Sequence, residues 1–161
     1  MVDLARRAAL FGRTKPLPPP LRPPGALDAH DFESACNSCG DCERACPQNI
    51  IFIGDGGQPE LTFSKAGCTS CGECQRACPT SALSGSIELR DRTLPSILDR
   101  CFNRQGVYCD SCRDACEIDV IRVKPRLGGT VEIRIELDQC TACGQCVSVC
   151  PADAIAMESM S

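Results

Sequence analysis

Aromatic side chains are nearly missing from this chain of 161 residues, which has no tryptophan, one tyrosine and five phenylalanines. Large rings normally supply much of a core, so the folding energy has to come from another source. Histidine is almost absent as well. His30 is the only one, and it lies outside every cysteine group, which points to a surface position. A Rieske centre needs a pair of histidines and haem usually needs one in a pocket. No apolar run reaches the roughly eighteen residues of a membrane helix. No dinucleotide fingerprint occurs, and Gly54-Asp55-Gly56-Gly57 lacks the Lys-Ser/Thr of a phosphate cradle, so it reads as a turn. No Ser/His/Asp or Cys/His set is available for covalent catalysis. The sequence therefore offers no catalytic site, and the chain does not read as an enzyme.

What it has in excess is cysteine. Sixteen in 161 residues leave a disulfide scaffold or a metalloprotein. Four groups begin at Cys36, Cys68, Cys101 and Cys140. Three share one spacing: Cys36-x2-Cys39-x2-Cys42-x3-Cys46-Pro47, Cys68-x2-Cys71-x2-Cys74-x3-Cys78-Pro79 and Cys140-x2-Cys143-x2-Cys146-x3-Cys150-Pro151. This is the bacterial ferredoxin run for [4Fe–4S] clusters. Three cysteines at that pitch wrap a loop around one cubane, and the loop amides face its sulfides. The fourth sits at the start of a helical turn and reaches the neighbouring cluster, with proline at the first helical position, where no N–H is needed. Gly40, Gly72 and Gly144 follow the second cysteine, where the backbone passes close to the cluster. Structural zinc uses two separated pairs around one ion, and a thrice-repeated run closed by proline is not a disulfide framework.

The remaining group reads Cys101-x7-Cys109-x2-Cys112-x3-Cys116-Glu117. Its first cysteine is displaced by five residues and no proline follows its last. It could be degenerate and empty, but sixteen cysteines make four complete sets, and the count favours a fourth cluster. The swapped arrangement then gives Cys36, Cys39, Cys42 with Cys78; Cys68, Cys71, Cys74 with Cys46; Cys140, Cys143, Cys146 with Cys116; and Cys101, Cys109, Cys112 with Cys150. The longer loop of the last is expected to expose its cluster.

Metal–ligand bonds could supply the missing folding energy, so the apo-chain should be poorly folded. The formal charge is −4 with neutral thiols; each cluster with its thiolates adds about −2, so four take the chain to about −12. That acidity argues against nucleic acid and anionic membranes and suits docking on a basic patch of a redox partner.

The fold class expected is α+β: tandem bacterial-type 2[4Fe–4S] ferredoxin-like modules with short helices, β-hairpins and little regular structure. The divisions are 1–27, an arginine-containing segment and proline-rich linker; 28–89, a first two-block module; and 90–161, a second. Residues 1–15 have a loose helical apolar face, stopped by Pro16 and Pro18 onward, a polyproline spacer or a strap lying on the domain. Arg6-Arg7 has the look of a twin-arginine signal, but no apolar h-region follows. Without a signal, and with free thiols required for cluster assembly, a cytoplasmic location is expected. Each cysteine block is read as leading through one helical turn into a strand. Leu94, Ile97 and Leu98 have helical spacing. Ile121–Val123 and Val131–Leu137 flank Gly128-Gly129 as a hairpin with one buried face.

With Arg6-Arg7-x-x-Leu10-x-Gly12-Arg13, Arg22-Pro23-Pro24, the three regular blocks and the irregular Cys101–Cys116 block, the chain resembles the NapF family of ferredoxin-type proteins from the periplasmic nitrate reductase system. The resemblance implies a cytoplasmic accessory protein. It would act on the catalytic subunit, NapA, before export, in assembling or reducing its iron–sulfur centre, with the arginine pair as a docking element. The alternative is a general ferredoxin or the wiring subunit of a larger oxidoreductase, with other redox proteins as partners. A third possibility, an enzyme using a cluster with an open iron, needs a set of three cysteines.

Overall fold

The computed structural model describes residues 19–89, 93–126 and 131–159. The expected helix over 1–15, the arginine pair and the Gly128-Gly129 turn lie outside them.

Regular structure is sparse because the chain spends its length on cysteine loops. Among the described residues three antiparallel two-stranded ladders form: β1 (Ile51–Ile53) with β2 (Pro59–Leu61), β3 (Thr93–Ile97) with β6 (Ile155–Ser159), and β4 (Ile121–Pro125) with β5 (Val131–Ile135). Every strand is an edge, and so Pro59, Pro95 and Pro125 are tolerated. Gly54–Gly57 is the β1–β2 turn, as its composition indicated, with Gly57 at φ 75° and the Gly54 N–H donating to Gln58 O at 2.9 Å. In the β4–β5 hairpin Ile121 pairs with Ile135 and Val123 with Ile133. Ile121 is buried, and half-buried Ile133 and Ile135 pack against the same core, the apolar face that the alternation called for; the strand ends at Ile135, and Leu137, read as part of it, is exposed.

The helices are α1 (Ala29–Ala35), α2 (Asp41–Ala45), α3 (Glu73–Arg76), α4 (Ser111–Asp114) and α5 (Gln145–Ser148). The last four occupy equivalent places in the four cysteine blocks. At four or five residues they are far below the length that is stable alone, so tertiary contacts must hold them. They lie between the third cysteine's neighbourhood and the fourth cysteine, which corrects the expectation that the fourth cysteine opens a helical turn. Cys46 instead closes α2 as its C-cap. After the last cysteine the chain makes a turn and enters β1, β4 or β6; only the second block continues into a single 3-10 turn, Ser81–Leu83. The prolines after the cysteines therefore start turns, where a fixed φ serves equally well.

The helical spacing of Leu94, Ile97 and Leu98 also gives way. Thr93–Ile97 is a strand, because Pro95 disfavours a helix interior and the ladder to β6 supplies partners. Thr93, buried, also donates its hydroxyl to Glu158 O at 2.8 Å.

Two cores result. The first gathers Phe32, Ile50, Ile51, Leu61, Phe63, Leu83 and Leu89; the second gathers Val120, Ile121 and Ile155. Cysteines line both. The proline-rich segment is a strap from residue 19 onward, not a free spacer. Leu21 O accepts from Leu61 N at 2.7 Å, Leu27 N donates to Ala82 O at 3.0 Å, and Ala26 is fully buried. Arg22 donates to Pro59 O and Gln58 Oε1, at 3.1 and 2.8 Å, and lies 5.1 Å from the centroid of the Phe32 ring. Phe32 is thus the anchor that α1 and the strap share. Phe32→Ala is expected to cost about 3–5 kcal/mol, read as a lower urea midpoint in anaerobic denaturation.

Candidate metal centres

Four cavities bring the cysteines together in an interleaved way. Set I is Cys36, Cys39 and Cys42 with Cys78. Set II is Cys68, Cys71 and Cys74 with Cys46. Set III is Cys140, Cys143 and Cys146 with Cys116. Set IV is Cys101, Cys109 and Cys112 with Cys150. Helix α2 packs on α3 and α4 on α5. The fourth cysteine of each block follows its helix within two residues and lines the neighbouring block's cavity, so the packing delivers that thiol to the neighbour.

The regular loops share an unusual backbone. Between their first and second cysteines, Ser38, Ser70 and Ala142 hold φ of 56°, 52° and 55°, the left-handed region that side chains normally avoid at a cost of about 1–2 kcal/mol per residue. Gly40, Gly72 and Gly144 follow at φ 75–77° as helix N-caps. This positive φ by itself calls for glycine, a reason beside the close approach to a cluster that the sequence suggested. The left-handed residues turn the loop amides inward. Ser70 N and Ala142 N each lie 3.4 Å from the Sγ of the preceding Cys68 and Cys140, and Ala154 N lies 3.2 Å from Cys150 Sγ.

The irregular loop reaches the same end differently. Asp110 replaces the capping glycine, at φ −127°. The insertion folds into turns tied by Gln105 N to Cys101 O at 3.1 Å and Val107 N to Phe102 O at 2.9 Å. At its centre Asn103, 2% exposed, clasps the backbone of Cys109: its Nδ2 donates to Cys109 O at 2.5 Å and its Oδ1 accepts from Cys109 N at 2.9 Å. The insertion therefore covers the site. Cys101 and Cys112 are buried and no cysteine of set IV is exposed, whereas Cys39 of set I and Cys71 of set II are. The expectation of an exposed fourth site is thus reversed. Asn103 was not singled out from the sequence; its only signal was an amide side chain inside an otherwise unexplained insertion. Arg44 and Arg76 were also missed. Each reaches back from its helix to the carbonyl of the block's second cysteine, Cys39 O at 3.2 Å and Cys71 O at 3.0 Å, while paired with Asp41 or Glu73. His30 is exposed, as its position indicated, with Asp31 at 3.3 Å.

The donor chemistry fits an iron–sulfur cluster. None of the sixteen thiols is joined in a disulfide. Burial, with the nearness of Cys36 and Cys78, pushes Cys42 up to about 11; burial and nearby Cys68 do the same to Cys74, to about 11. Burial and Cys101 push Cys112 up to about 11, and burial with Cys143 and Cys140 takes Cys146 to about 12. Four such thiols are held as thiolates only around a positively charged core. Among the described residues no three metal-ligating side chains close in on a point that one ion would occupy. The thiols stand around cavities instead, which disfavours a tetrahedral zinc.

The 4Fe-4S dicluster domain matches residues 35–82 and 107–154. A ferredoxin-type protein NapF of Escherichia coli strain K12 is 34% identical over 157 residues, covering 98% of this chain and 96% of that protein. The chain belongs to the ferredoxin-type NapF family. NapF of Haemophilus influenzae is 37% identical over 140 residues, 87% of this chain and 80% of that one. A methylamine utilization ferredoxin-type protein, MauM of Methylobacillus flagellatus, is 35% identical over 92% of this chain and 74% of its own length. This NapF-family chain is thus a tandem 4Fe-4S dicluster protein that carries multiple [4Fe–4S] clusters. Of its sixteen cysteines, Cys101 alone falls outside the matched stretches, and the Asn103 turn is what brings it to set IV. No helix among the described residues is long and apolar enough to cross a membrane.

Asn103→Ala leaves the Cys109 amide and carbonyl without their side-chain partner and is expected to destabilise by about 1–3 kcal/mol. The exposed Arg104–Asp99 pair is the control: Arg104→Ala should stay within about 0.5 kcal/mol. Anaerobic urea titrations of both variants check the contrast.

Proposed function

We propose that each of the four sets holds one [4Fe–4S] cluster, and that the chain is a cytoplasmic accessory protein. In this reading it carries electrons to NapA, the catalytic subunit of periplasmic nitrate reductase, during maturation before export. The observation that carries the reading is the partition of sixteen cysteines into four groups of four around four cavities. Similarity to NapF proteins along nearly the whole chain supports the nitrate reductase context. The division into modules 28–89 and 90–161, preceded by the segment 1–27, goes with it.

A bound [4Fe–4S] cluster supplies one-electron chemistry. The residues of this chain fix where that electron can sit. Cysteine thiolates hold the irons, and the amides of Ser70, Ala142 and Ala154 point at ligand sulfurs and temper their negative charge. Cys42, Cys74 and Cys112 are buried, which takes one ligand each of sets I, II and IV out of water. No acid–base pair or nucleophile is needed, because transfer of an electron makes and breaks no bond.

A second reading has one observation in its favour. MauM of Methylobacillus flagellatus, named for methylamine utilization, is similar in sequence over most of this chain, which supports a carrier that is not tied to nitrate reductase. A general electron carrier would be reduced rapidly by a ferredoxin reductase and retain no specific partner.

About sixteen irons and as many acid-labile sulfides are expected per anaerobically purified chain; about twelve would mean that set IV stays empty. Cys46→Ala is expected to abolish the cluster of set II, whose other ligands Cys68, Cys71 and Cys74 lie further along the chain, and leave Cys36, Cys39 and Cys42 loaded. Iron analysis with electron paramagnetic resonance decides it. Iron chelation should also collapse the far-ultraviolet circular dichroism, since the metal bonds are part of the folding energy. A tagged chain is expected to retain unexported NapA. Normal nitrate reductase activity in a strain lacking this protein would exclude the maturation role.

A further inference from the structure

Tandem dicluster modules joined by a linker default to two separate electron carriers that move relative to each other. This chain departs from that default where Gly67 and Cys68 meet the last cysteine block. The Cys68 N–H of set II donates to the carbonyl of Cys143 of set III at 2.7 Å. Beside it, Gly67 N donates to Gln145 Oε1 at 3.0 Å. The approach is so close that a Cβ on Gly67 would lie 2.8 Å from Gln145 N and 2.9 Å from Cys143 O, and one on Gly144 would lie 2.2 Å from the Phe63 ring. Gly67 keeps an ordinary φ, so contact alone excludes a side chain there. The interlock continues into the packing. Ala142 is buried in the first core, and Val147 and Met157 pack against it.

Cys68 lines two cavities, its own and that of set III. The set III cavity is also the roomiest of the four, about 290 Å³ against about 20 Å³ for each of the others, because it opens onto the junction and takes Cys68, Thr69 and Ser70 into its wall.

We infer that Gly67, Cys68, Cys143 and Gln145 form a built electron-transfer junction that joins the two halves into a single relay in which sets II and III are the link. A path runs from the Cys68 sulfur through its own amide, one hydrogen bond and the Cys143 carbonyl to the Cys143 sulfur. It is a continuous route of covalent bonds and one short hydrogen bond between two cysteine sulfurs. The step is the passage of one electron from a reduced half to an oxidised half; no bond changes and no proton moves, and an external reductant supplies the electron. The inference rests on the proposal that both sets hold clusters.

The test uses the full chain, reduced with dithionite under anaerobic conditions. Gly67→Val should wedge the junction open, and Gln145→Ala should remove only the side-chain tie. Iron and sulfide content tests the cluster assignment by itself. At equal iron, microwave-power saturation and line broadening in electron paramagnetic resonance read the magnetic interaction between centres. Interactions inside each half are common to wild type and variants, so any difference reports the junction. The expected result is wild-type iron content with loss of part of the broadening and of the fast relaxation in Gly67→Val, and a smaller loss in Gln145→Ala. Unchanged spectra at full iron would overturn the inference. If Gly67→Val loses iron, Gln145→Ala decides alone: a reduced interaction at full iron supports the junction, and an unchanged one overturns it. Loss of iron in Gln145→Ala would overturn it too, because the contact would then be needed to build the sites and would not be a link between finished halves.

Discussion

Thiolates enclosed in protein repel one another, and each costs free energy to take out of water. The rest of this structure follows from that constraint. Buried Cys42, Cys74 and Cys112 and half-buried Cys146 have their thiols held well above the usual range, so the sets reach their working state only around a cationic iron–sulfur core. In return the metal bonds hold backbone that nothing else would hold. Helices of four or five residues and left-handed Ser38, Ser70 and Ala142 are unfavourable alone. They persist where the surroundings over-determine them.

The irregular block shows how a second solution meets the same requirement. Elsewhere a left-handed residue and a glycine cap shape the loop. Around Cys101 and Cys109 a five-residue insertion does it, with the buried Asn103 amide standing in for local backbone hydrogen bonds. An amide can satisfy a donor and an acceptor at once, and for that reason one side chain suffices to pin Cys109. The longer loop ends up covering its site and leaves the regular sets I and II as the ones with exposed cysteines.

The swap has a mechanical origin. A helix too short to turn the chain around carries its terminal cysteine outward, and packing of α2 on α3 and of α4 on α5 makes outward mean into the neighbouring cavity. Damage to one loop therefore reaches two sites. Between the halves the connection is of another kind: a backbone hydrogen bond and two glycines without room for side chains, so the fit depends on backbone approach.

The Cys-x2-Cys-x2-Cys-x3-Cys runs were legible in the sequence because each is local: loop length places the first three sulfurs of a block together, and three exact repeats point to the tandem α+β architecture. Local chemistry likewise made the Gly54–Gly57 turn and the β4–β5 hairpin readable. Where tertiary contacts overrode local pattern, the sequence misled. Thr93–Ile97 became a strand because β6 pairs with it, and the helical turns fell before the fourth cysteines. Nothing in the spacing revealed that Asn103 would close over set IV, that the proline strap would dock through Arg22 on Phe32, or that Cys68 would meet Cys143. Sequence by itself determined which residues hold sulfur and in what groups of loops, since ligand spacing is a property of a short stretch of chain. Only the tertiary structure decided how the sites are covered and joined, since burial and hydrogen bonds between residues many positions apart exist only after the chain has packed.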